Sequence, residues 1–397
     1  MLRSRLRTVC ALVGYASLWL VTLLLVALAV SAAAAGVYRS FRTTGLAGNC
    51  RGLSGGHCGS DPSLDVASAS SAYEGYPWAD EFWREARQRH QSARELYEPY
   101  RMWKPEPWAG KWFNIEHTAT GNWRPASTAG ADCGGQRVTV WVFGGSSGLG
   151  VPDSDTVTAY LAQEIARRRG QCVIAHDFGV EGFMSTQEVL NLVEQLRRNA
   201  PPDLVVFLDG YNDAYCGSRF YQTGPAAHCE LPTIRQRIQG PLESPWMLWL
   251  RQSSLLRALQ GLSGGSRSPR HPPTSYAEEV VGSYAANLAM VKKLAQAERF
   301  EAYFFWQPTL LYGGKRTDHF EQFAVQTLQL PSRELIAPVY DAAKQRAQGA
   351  DFIFLGDLFR DESQPLFLDL VNLGPRGNHA LAKAMADHIG VQKYVRN

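Results

Sequence analysis

The sequence predicts a three-layer α/β/α fold around a central parallel sheet. Three observations support this prediction. Residues 138–143 are apolar or β-branched and stop at two glycines, as expected for a strand buried on both of its faces. Residues 156–169 follow with apolar side chains at helical spacing. Strand and helix patterns then alternate to the end of the chain, which indicates parallel strands covered by helices on both sides.

The remaining elements follow from the same two patterns. Further strands are predicted at residues 172–176, 204–208, 302–306 and 352–355, and further helices at 186–199, 276–299, 333–348 and 375–389. Residues 80–94 are predicted to form a surface helix. The aromatic-rich and proline-rich stretch that follows is expected to pack against the folded body, with a sugar-stacking surface as the alternative.

The N-terminus carries a candidate membrane anchor. Residues 8–38 contain no charged side chain and follow Arg3, Arg5 and Arg7. This segment is long enough to supply the ~20 apolar residues that span a bilayer, and the leading arginines favour a cytoplasmic N-terminus. A cleaved signal peptide, with small residues at 32–35, is the alternative. Both interpretations place the rest of the chain on the extracytoplasmic side.

The predicted organisation of the chain has four parts. They are a cytoplasmic tip with a transmembrane anchor (1–38), a Gly/Ser/Ala-rich linker (39–76), an aromatic lead-in segment (77–134) and the α/β domain (135–397). Two insertions interrupt the last part, near 215–275 and 311–331. The first has an apolar face that suits a lid, a membrane-contacting surface or a helix packed on the domain. The second is expected at the rim of the same site.

Composition limits the class of function. The 397 residues carry a formal net charge of only +3, with no basic run beside clustered aromatics, so nucleic acid is not an expected partner. No Cys or His group has metal-ligand spacing, and we predict neither a metal nor a cofactor. The cysteines beyond the apolar segment are even in number, which suits disulfides in an exported domain. The predicted pairs are Cys50–Cys58, Cys216–Cys229 and Cys133–Cys172, the last at the bottom of the sheet, with free buried thiols as the alternative.

Three predicted strand ends carry polar and glycine-rich segments, at 144–147, 177–183 and 209–213. The carboxyl ends of parallel strands share one edge of the sheet, where open α/β proteins bind ligands. A serine hydroxyl, glycine N–H groups and an asparagine amide meeting there would suit acyl transfer, in which such donors stabilise a developing oxyanion. A flavodoxin-like nucleotide site is a poorer interpretation, because the first turn lacks Gly-x-Gly-x-x-Gly spacing.

These segments resemble the sequence blocks of the SGNH hydrolases, also called GDSL-type esterases. The Gly-Asp-Ser block corresponds to Gly144-Gly145-Ser146, with glycine in place of the aspartate. This resemblance implies that Ser146, rather than Ser147, is the nucleophile. It also implies that the N–H of Gly182, in the second block, joins that of Ser146 in an oxyanion hole.

The last two blocks extend the resemblance to residue 389. Gly-x-Asn-Asp is intact at 210–213 and makes Asn212 the third oxyanion donor. The final block, Asp-x-x-His in the family, begins at Asp369 but has Asn372 where the histidine is expected. A general base needs a pKa near the working pH, and a carboxamide does not titrate there. The chain therefore lacks the family's proton acceptor at its usual place.

Three other histidines are candidates to replace that base, with a surface or packed side chain as the alternative for each. His379 is predicted in the final helix, His319 in the second insertion, and His176 at the end of the second strand.

Two hypotheses of function follow. One is an exported, membrane-tethered ester hydrolase or acyl transferase that acts on O-acyl groups of a glycan or a similar envelope substrate. The other is a catalytically weakened or inactive relative that binds a ligand or serves as a subunit of an envelope assembly. The sequence indicates no particular protein partner.

Overall fold

The computed structural model describes residues 71–92, 95–118, 121–130, 133, 137–145, 150–220, 275–313, 333–348 and 352–390. In these residues the strands are β1 (Glu95–Glu98), β2 (Met102–Pro105), β3 (Trp108–Ala109), β4 (Asn114–Thr118), β5 (Gly121–Ala129), β6 (Arg137–Gly144), β7 (Cys172–Asp177), β8 (Leu204–Asp209), β9 (Glu301–Trp306) and β10 (Ile353–Phe354). The α-helices are α1 (Ala79–Ser92), α2 (Val157–Arg169), α3 (Ser185–Arg198), α4 (Tyr211–Phe220), α5 (Tyr276–Glu298), α6 (Arg333–Ala347) and α7 (Pro375–His388).

The central sheet is parallel at its core and mixed as a whole. Strands β10, β9, β8, β6 and β7 lie side by side and run parallel, which confirms the five predicted strands. The purely parallel sheet is corrected, because β5, β4 and β3 continue it beyond β7 in antiparallel order. These three strands come from the aromatic-rich and proline-rich segment, whose composition hides the period-two alternation of a strand.

Two apolar layers cover the sheet. Strand β6 alternates between them, with Val140 and Val142 on one face and Trp141 and Phe143 on the other. Helices α2 and α7 pack on the valine face, while α3, α4, α5 and α6 contribute to the layer on the aromatic face. Strand β6 is therefore packed on both of its faces, as predicted for a three-layer fold.

The aromatic lead-in packs mainly against the body. Helix α1 buries Phe82 and Trp83, and Trp103 and Trp123 are each only 6% exposed. This agrees with core packing rather than sugar stacking for these rings, although Tyr97 and Tyr100 in the β1–β2 hairpin are exposed. Because β3, β4 and β5 belong to the same sheet as β6, residues of this segment form part of the α/β body.

Other predicted features fall partly outside the described residues. Helix α4 was not predicted and includes the first residues assigned to the insertion near 215–275; residues 221–274 and 314–332 are not described. The same holds for the predicted anchor and for most of the linker, 1–70. Among the helices that the structure does describe, none combines the length and apolarity needed to cross a bilayer.

One predicted disulfide is confirmed. Cys133 is bonded to Cys172, the first residue of β7. Cys216 is also disulfide-bonded. Cys50, Cys58 and Cys229 lie outside the described residues, so the pairs Cys50–Cys58 and Cys216–Cys229 stay predictions.

Candidate active site

The described blocks meet at the carboxyl edge of the parallel strands. Gly144 ends β6 and Asp209 ends β8, while the loop after β7 leads to Gly182. The backbone hydrogen bonding between β6 and β7 continues into this loop, because the N–H of Val180 donates to the carbonyl of Gly144 at 3.0 Å. Ser146, the predicted nucleophile, lies outside the described residues, as do residues 147–149.

Asn212 lies directly against the first block. Its Nδ2 donates to the carbonyl of Phe183 at 2.8 Å. A Cβ added to Gly145 would lie 2.0 Å from that nitrogen and 2.7 Å from the carbonyl oxygen of Phe183. The glycine at the position where the family has aspartate therefore leaves the space that the Asn212 amide fills. The amide carries two hydrogens, and one of them is used by Phe183.

Gly182 is held in the left-handed region with φ +79°, which glycine adopts without steric cost. Its N–H, the second predicted oxyanion donor, donates to the carbonyl of Gly145 at 2.8 Å. A substrate oxyanion at this N–H would take the place of the Gly145 carbonyl. This structure therefore brings the predicted donor to the site but shows it bonded to the first block.

Asp369 and Asn372 form the pair that the fourth block predicts. The Nδ2 of Asn372 donates to Oδ2 of Asp369 at 2.6 Å, while Oδ1 accepts the N–H groups of Val371 and Asn372. Burial raises the pKa of Asp369, and these hydrogen bonds oppose the rise. Burial raises the pKa of Tyr211, the neighbour of Asn212, and the charge of Asp369 adds to that rise, so the carboxylate lies within electrostatic reach of the third block.

Asn372 thus keeps the hydrogen-bond donor function of a histidine but not its function as a base. It donates to the aspartate, as an imidazole N–H would. Its own Oδ1 is buried and has no hydrogen-bond partner among the described residues. That oxygen accepts a hydrogen bond but does not take up a proton near neutral pH.

The described alternative histidines contact other elements. His379 lies in α7, as predicted, but its Nε2 is 3.7 Å from Glu164 and its ring packs 4.9 Å from that of Tyr160, both on α2. The ring of His176 stacks on Phe178, and burial lowers its pKa. The structure therefore does not join either side chain to the Asp369–Asn372 pair, and His319 lies outside the described residues.

A buried acidic cluster lies behind the third block, and sequence reasoning missed it. Asp209, Asp213 and Glu188 are all less than 5% exposed. Asp213 accepts from the hydroxyl of Ser185 at 2.6 Å. Neither carboxyl oxygen of Glu188 meets an N–H or O–H donor in the described residues, so its contact with Asp209 requires a shared proton. The only sign of this cluster in the sequence was that two acidic residues, Asp209 and Asp213, flank the Gly-x-Asn motif.

The pKa values of this cluster follow from its burial. Desolvation raises the pKa of Asp209 to about 7, although the hydrogen bond from Glu188 opposes the rise. Desolvation raises the pKa of Glu188 well above its usual range, and the charge of Asp209 and the hydrogen bond between the two carboxyls raise it as well. Glu188 is therefore the member that carries the proton. No cluster in the described ranges has the arrangement of a metal site.

Comparison with known proteins gives remote similarity only. No family model and no curated protein matches the sequence. An acetyl xylan esterase, AlAXEase, is similar at 18% identity over 64% of this chain and 100% of its own, with a TM-score of 0.35. A lipolytic protein of the G-D-S-L family from Veillonella parvula has 12% identity over 64% and 98%, with the same TM-score. The lipase Lip_vut3 from a goat rumen metagenome has 12% identity over 64% and 100%, again at 0.35.

These solved structures are esterases and lipases, the class that the four sequence blocks resemble. Identities and TM-scores this low carry no argument about what this chain does.

Proposed function

We propose that this chain is an exported, membrane-tethered ester hydrolase or acyl transferase of the SGNH type, with Ser146 as its nucleophile. The observation that carries the proposal is the convergence of Gly145, Gly182 and Asn212 at one sheet edge, in mutual contact through the Phe183 and Gly145 carbonyls. Asp369 completes the set from the loop before α7. Glycine N–H groups and an amide at a strand end suit the stabilisation of an acyl oxyanion.

The proposed reaction is acyl transfer through a covalent intermediate. The Oγ of Ser146 bonds to the acyl carbon, its proton leaves, and the carbonyl oxygen becomes an oxyanion. Collapse of this oxyanion expels the alcohol, which takes up a proton, and leaves an acyl-enzyme. Water or a sugar hydroxyl then accepts the acyl group. Asn212 has a second amide hydrogen for the oxyanion, and Gly182 contributes its N–H once the Gly145 carbonyl turns away.

The serine proton has no general base at the position where the family has its histidine. Asn372 accepts a hydrogen bond from a serine hydroxyl but does not hold its proton, so the proton passes to solvent. A positioned general base typically contributes ~10²–10⁴-fold in rate. We therefore propose slow turnover for the natural chain, rising with pH as hydroxide becomes available.

The substitution Asn372→His tests this proposal. We expect kcat for p-nitrophenyl acetate to rise by about 10²-fold or more, because the imidazole takes and returns the proton beside Asp369. The rate should acquire a titration near the imidazole pKa of about 6.5. Asn372→Gln is the matched control, since it changes the side chain without adding a titratable group, and should give no such increase.

A second candidate function is favoured by the same asparagine. In it the chain is a non-catalytic relative that binds an acylated or glycan ligand, or serves as a subunit of an envelope assembly. The Asn372–Asp369 hydrogen bond and the bonding of the Gly182 N–H to Gly145 both suit a site that binds without turnover. No turnover by either the natural chain or Asn372→His would select this candidate.

Export and membrane tethering rest on separate support. The Cys133–Cys172 disulfide suits an oxidising compartment. The uncharged segment 8–38 suits a membrane tether. Protease added to spheroplasts, whose outer layers have been removed, should therefore digest the domain, and washing the membranes with carbonate should not release it. Protection from the protease would contradict export.

A further inference from the structure

The peptide unit between Glu181 and Gly182 is held at both of its ends. On one side the Nε1–H of Trp103 donates to the carbonyl of Glu181 at 3.1 Å. On the other side the N–H of Gly182 donates to Gly145 at 2.8 Å. A peptide unit is planar, so the direction of its carbonyl fixes the direction of its N–H. Trp103 therefore determines where the Gly182 N–H points.

The indole also packs on this loop. Its ring meets that of Phe183 edge to face, with centroids 5.5 Å apart. A Cβ added to Gly182 would lie 3.3 Å from an edge carbon of the Trp103 ring. The ring contact and the hydrogen bond of Trp103 together restrain the backbone at Gly182. Without them this backbone would rotate readily, because glycine adopts the widest range of backbone angles.

Trp103 belongs to the β1–β2 hairpin, which is fastened to α3 through a buried cation. Arg101 is 2% exposed, and its guanidinium donates to Asn191 at 2.8 Å. It also forms ion pairs with Glu98 of the hairpin and Glu194 of α3. Charge-assisted bonds of this kind are stronger than neutral ones. The hairpin thus has a fixed position relative to the helix that follows the Gly182 loop.

A neutral side chain makes a second attachment at the same place. Gln187 of α3 donates through Nε2 to the carbonyl of Arg101 at 2.8 Å, and its Oε1 accepts the N–H of Met184 at 3.1 Å. Between Arg101 and Trp103, Met102 has a φ of +80°, which a residue with a Cβ rarely adopts. Unusual backbone angles persist where the surrounding contacts impose them, and here they turn the indole towards Glu181.

We propose that Trp103 is a positioning residue for the reaction of this site, acting through the Glu181–Gly182 peptide. This inference rests on the proposed function, because Gly182 is an oxyanion donor only in an acyl-transfer site. Trp103 does not touch the reacting atoms in this account. It keeps the Gly182 N–H aimed at the point that the Gly145 carbonyl occupies in this structure and that an oxyanion would occupy during catalysis.

The test removes the indole N–H while keeping an aromatic ring. Trp103→Phe is made in the Asn372→His background, and in a second variant Trp103 is replaced by 3-benzothienylalanine, which exchanges N–H for sulfur at nearly constant shape. Trp123 replaced by the same analogue is the control, because that exchange keeps the ring that packs on Phe178 and faces Arg101. Trp123 is equally buried and belongs to the same apolar cluster, but its Nε1 has no hydrogen-bond partner among the described residues.

Two readouts are combined. We expect both Trp103 variants to lower kcat by about 10- to 100-fold with KM unchanged, less than the ~10²–10³-fold typical for complete loss of an oxyanion donor. In hydrogen–deuterium exchange of the natural chain and its variants, residues 178–184 should exchange faster in both Trp103 variants only. The Trp123 analogue should change neither kcat nor this exchange.

Equal kcat and equal exchange in the Trp103 and Trp123 variants would overturn the inference. Faster exchange with unchanged kcat would also overturn it, because the peptide would be loosened without consequence for the reaction. If the Asn372→His parent has no activity, the proposed function fails on that measurement alone. The exchange data then decide whether Trp103 holds the peptide, and unchanged exchange would reject that as well.

Discussion

At the scale of single residues, the site depends on the absence of a side chain at Gly145. The Asn212 amide occupies the space that a Cβ would need, and the Phe183 carbonyl bounds it on a second side. One of these contacts is to backbone, which moves less readily than the end of a flexible side chain. The glycine is therefore required by the packing of the site and not only by the turn after β6.

Gly145→Ala tests this requirement. We expect the variant to lower the free energy of unfolding by about 1–3 kcal/mol, the usual cost of adding atoms to a filled space. Urea unfolding followed by circular dichroism measures it. Gly282→Ala is the control, because Gly282 lies within α5 with nothing within 4 Å of an added Cβ. That substitution should instead stabilise the protein by about 0.5–1 kcal/mol.

The residue scale also shows what a motif does and does not predict. The blocks identify Asn212 and Asp369, and the structure brings their loops to one edge. They do not predict that Asn212 donates to Phe183 or that Gly182 donates to Gly145, because those bonds depend on the exact path of two loops. Trp103 was missed for a similar reason: it lies far from Gly182 in sequence, and nothing in its neighbours marks it.

At the scale of elements, acidic side chains are buried between α3 and the end of β8. Glu188 comes from the helix and Asp209 from the end of the strand, with Asp213 and Tyr284 facing the same space. Within the described residues these carboxyls form no ion pair with a cation. Ser185, which accepts from Asn287, supplies neutral hydrogen bonds to Asp213 through its N–H and its hydroxyl. The packing of these elements is therefore coupled to protonation.

The sign of this coupling follows from the raised pKa of Asp209, about 7 in the folded chain. An unfolded aspartate has a pKa of about 3.9, so between about pH 4 and pH 7 the folded chain holds more protons. Stability from this group is fully present below about pH 4, is lost progressively as the pH rises, and levels off above the folded pKa of about 7. One proton corresponds to a slope of at most about 1.4 kcal/mol per pH unit.

Glu188→Gln and Asp209→Asn should therefore both flatten the fall in stability between pH 4 and pH 7. Urea unfolding at several pH values in that range measures it. Asp361→Asn, on an exposed loop, controls for the loss of one carboxylate. A slope as steep in both cluster variants as in the natural chain would contradict the shared proton.

The elements themselves were largely predictable. Five parallel strands and the helices between them follow from apolar runs and helical periodicity, and their bounds are close to the predicted ones. Strands β3 to β5 were not, because the aromatic lead-in lacks alternation and its prolines suggest irregular chain. Helix α4 was not either, because it begins within the Gly-x-Asn-Asp block, where the residues were interpreted for their chemistry.

At the scale of the whole molecule, one sheet edge collects segments from four distant parts of the chain. The parallel topology makes this convergence predictable, since each block follows a strand or lies in the loop before the last helix. The substitution at Asn372 was visible in the sequence, and a hydrogen bond from Asn372 to Ser146 or Asp369 was expected; the sequence did not decide that its amide donates to Asp369. The structure adds that the pair keeps the geometry of a donor and a carboxylate, while neither described candidate histidine joins it.

The most direct test of the central claim is covalent labelling of Ser146. The Asn372→His variant, incubated with a fluorophosphonate and analysed by intact-mass and peptide spectrometry, should gain one adduct on Ser146. The double variant with Ser146→Ala should gain none, and the natural chain should label far more slowly. A correctly folded Asn372→His protein that stays unlabelled across pH 6 to 9, or labels equally without Ser146, would contradict an acyl-transfer site at this sheet edge.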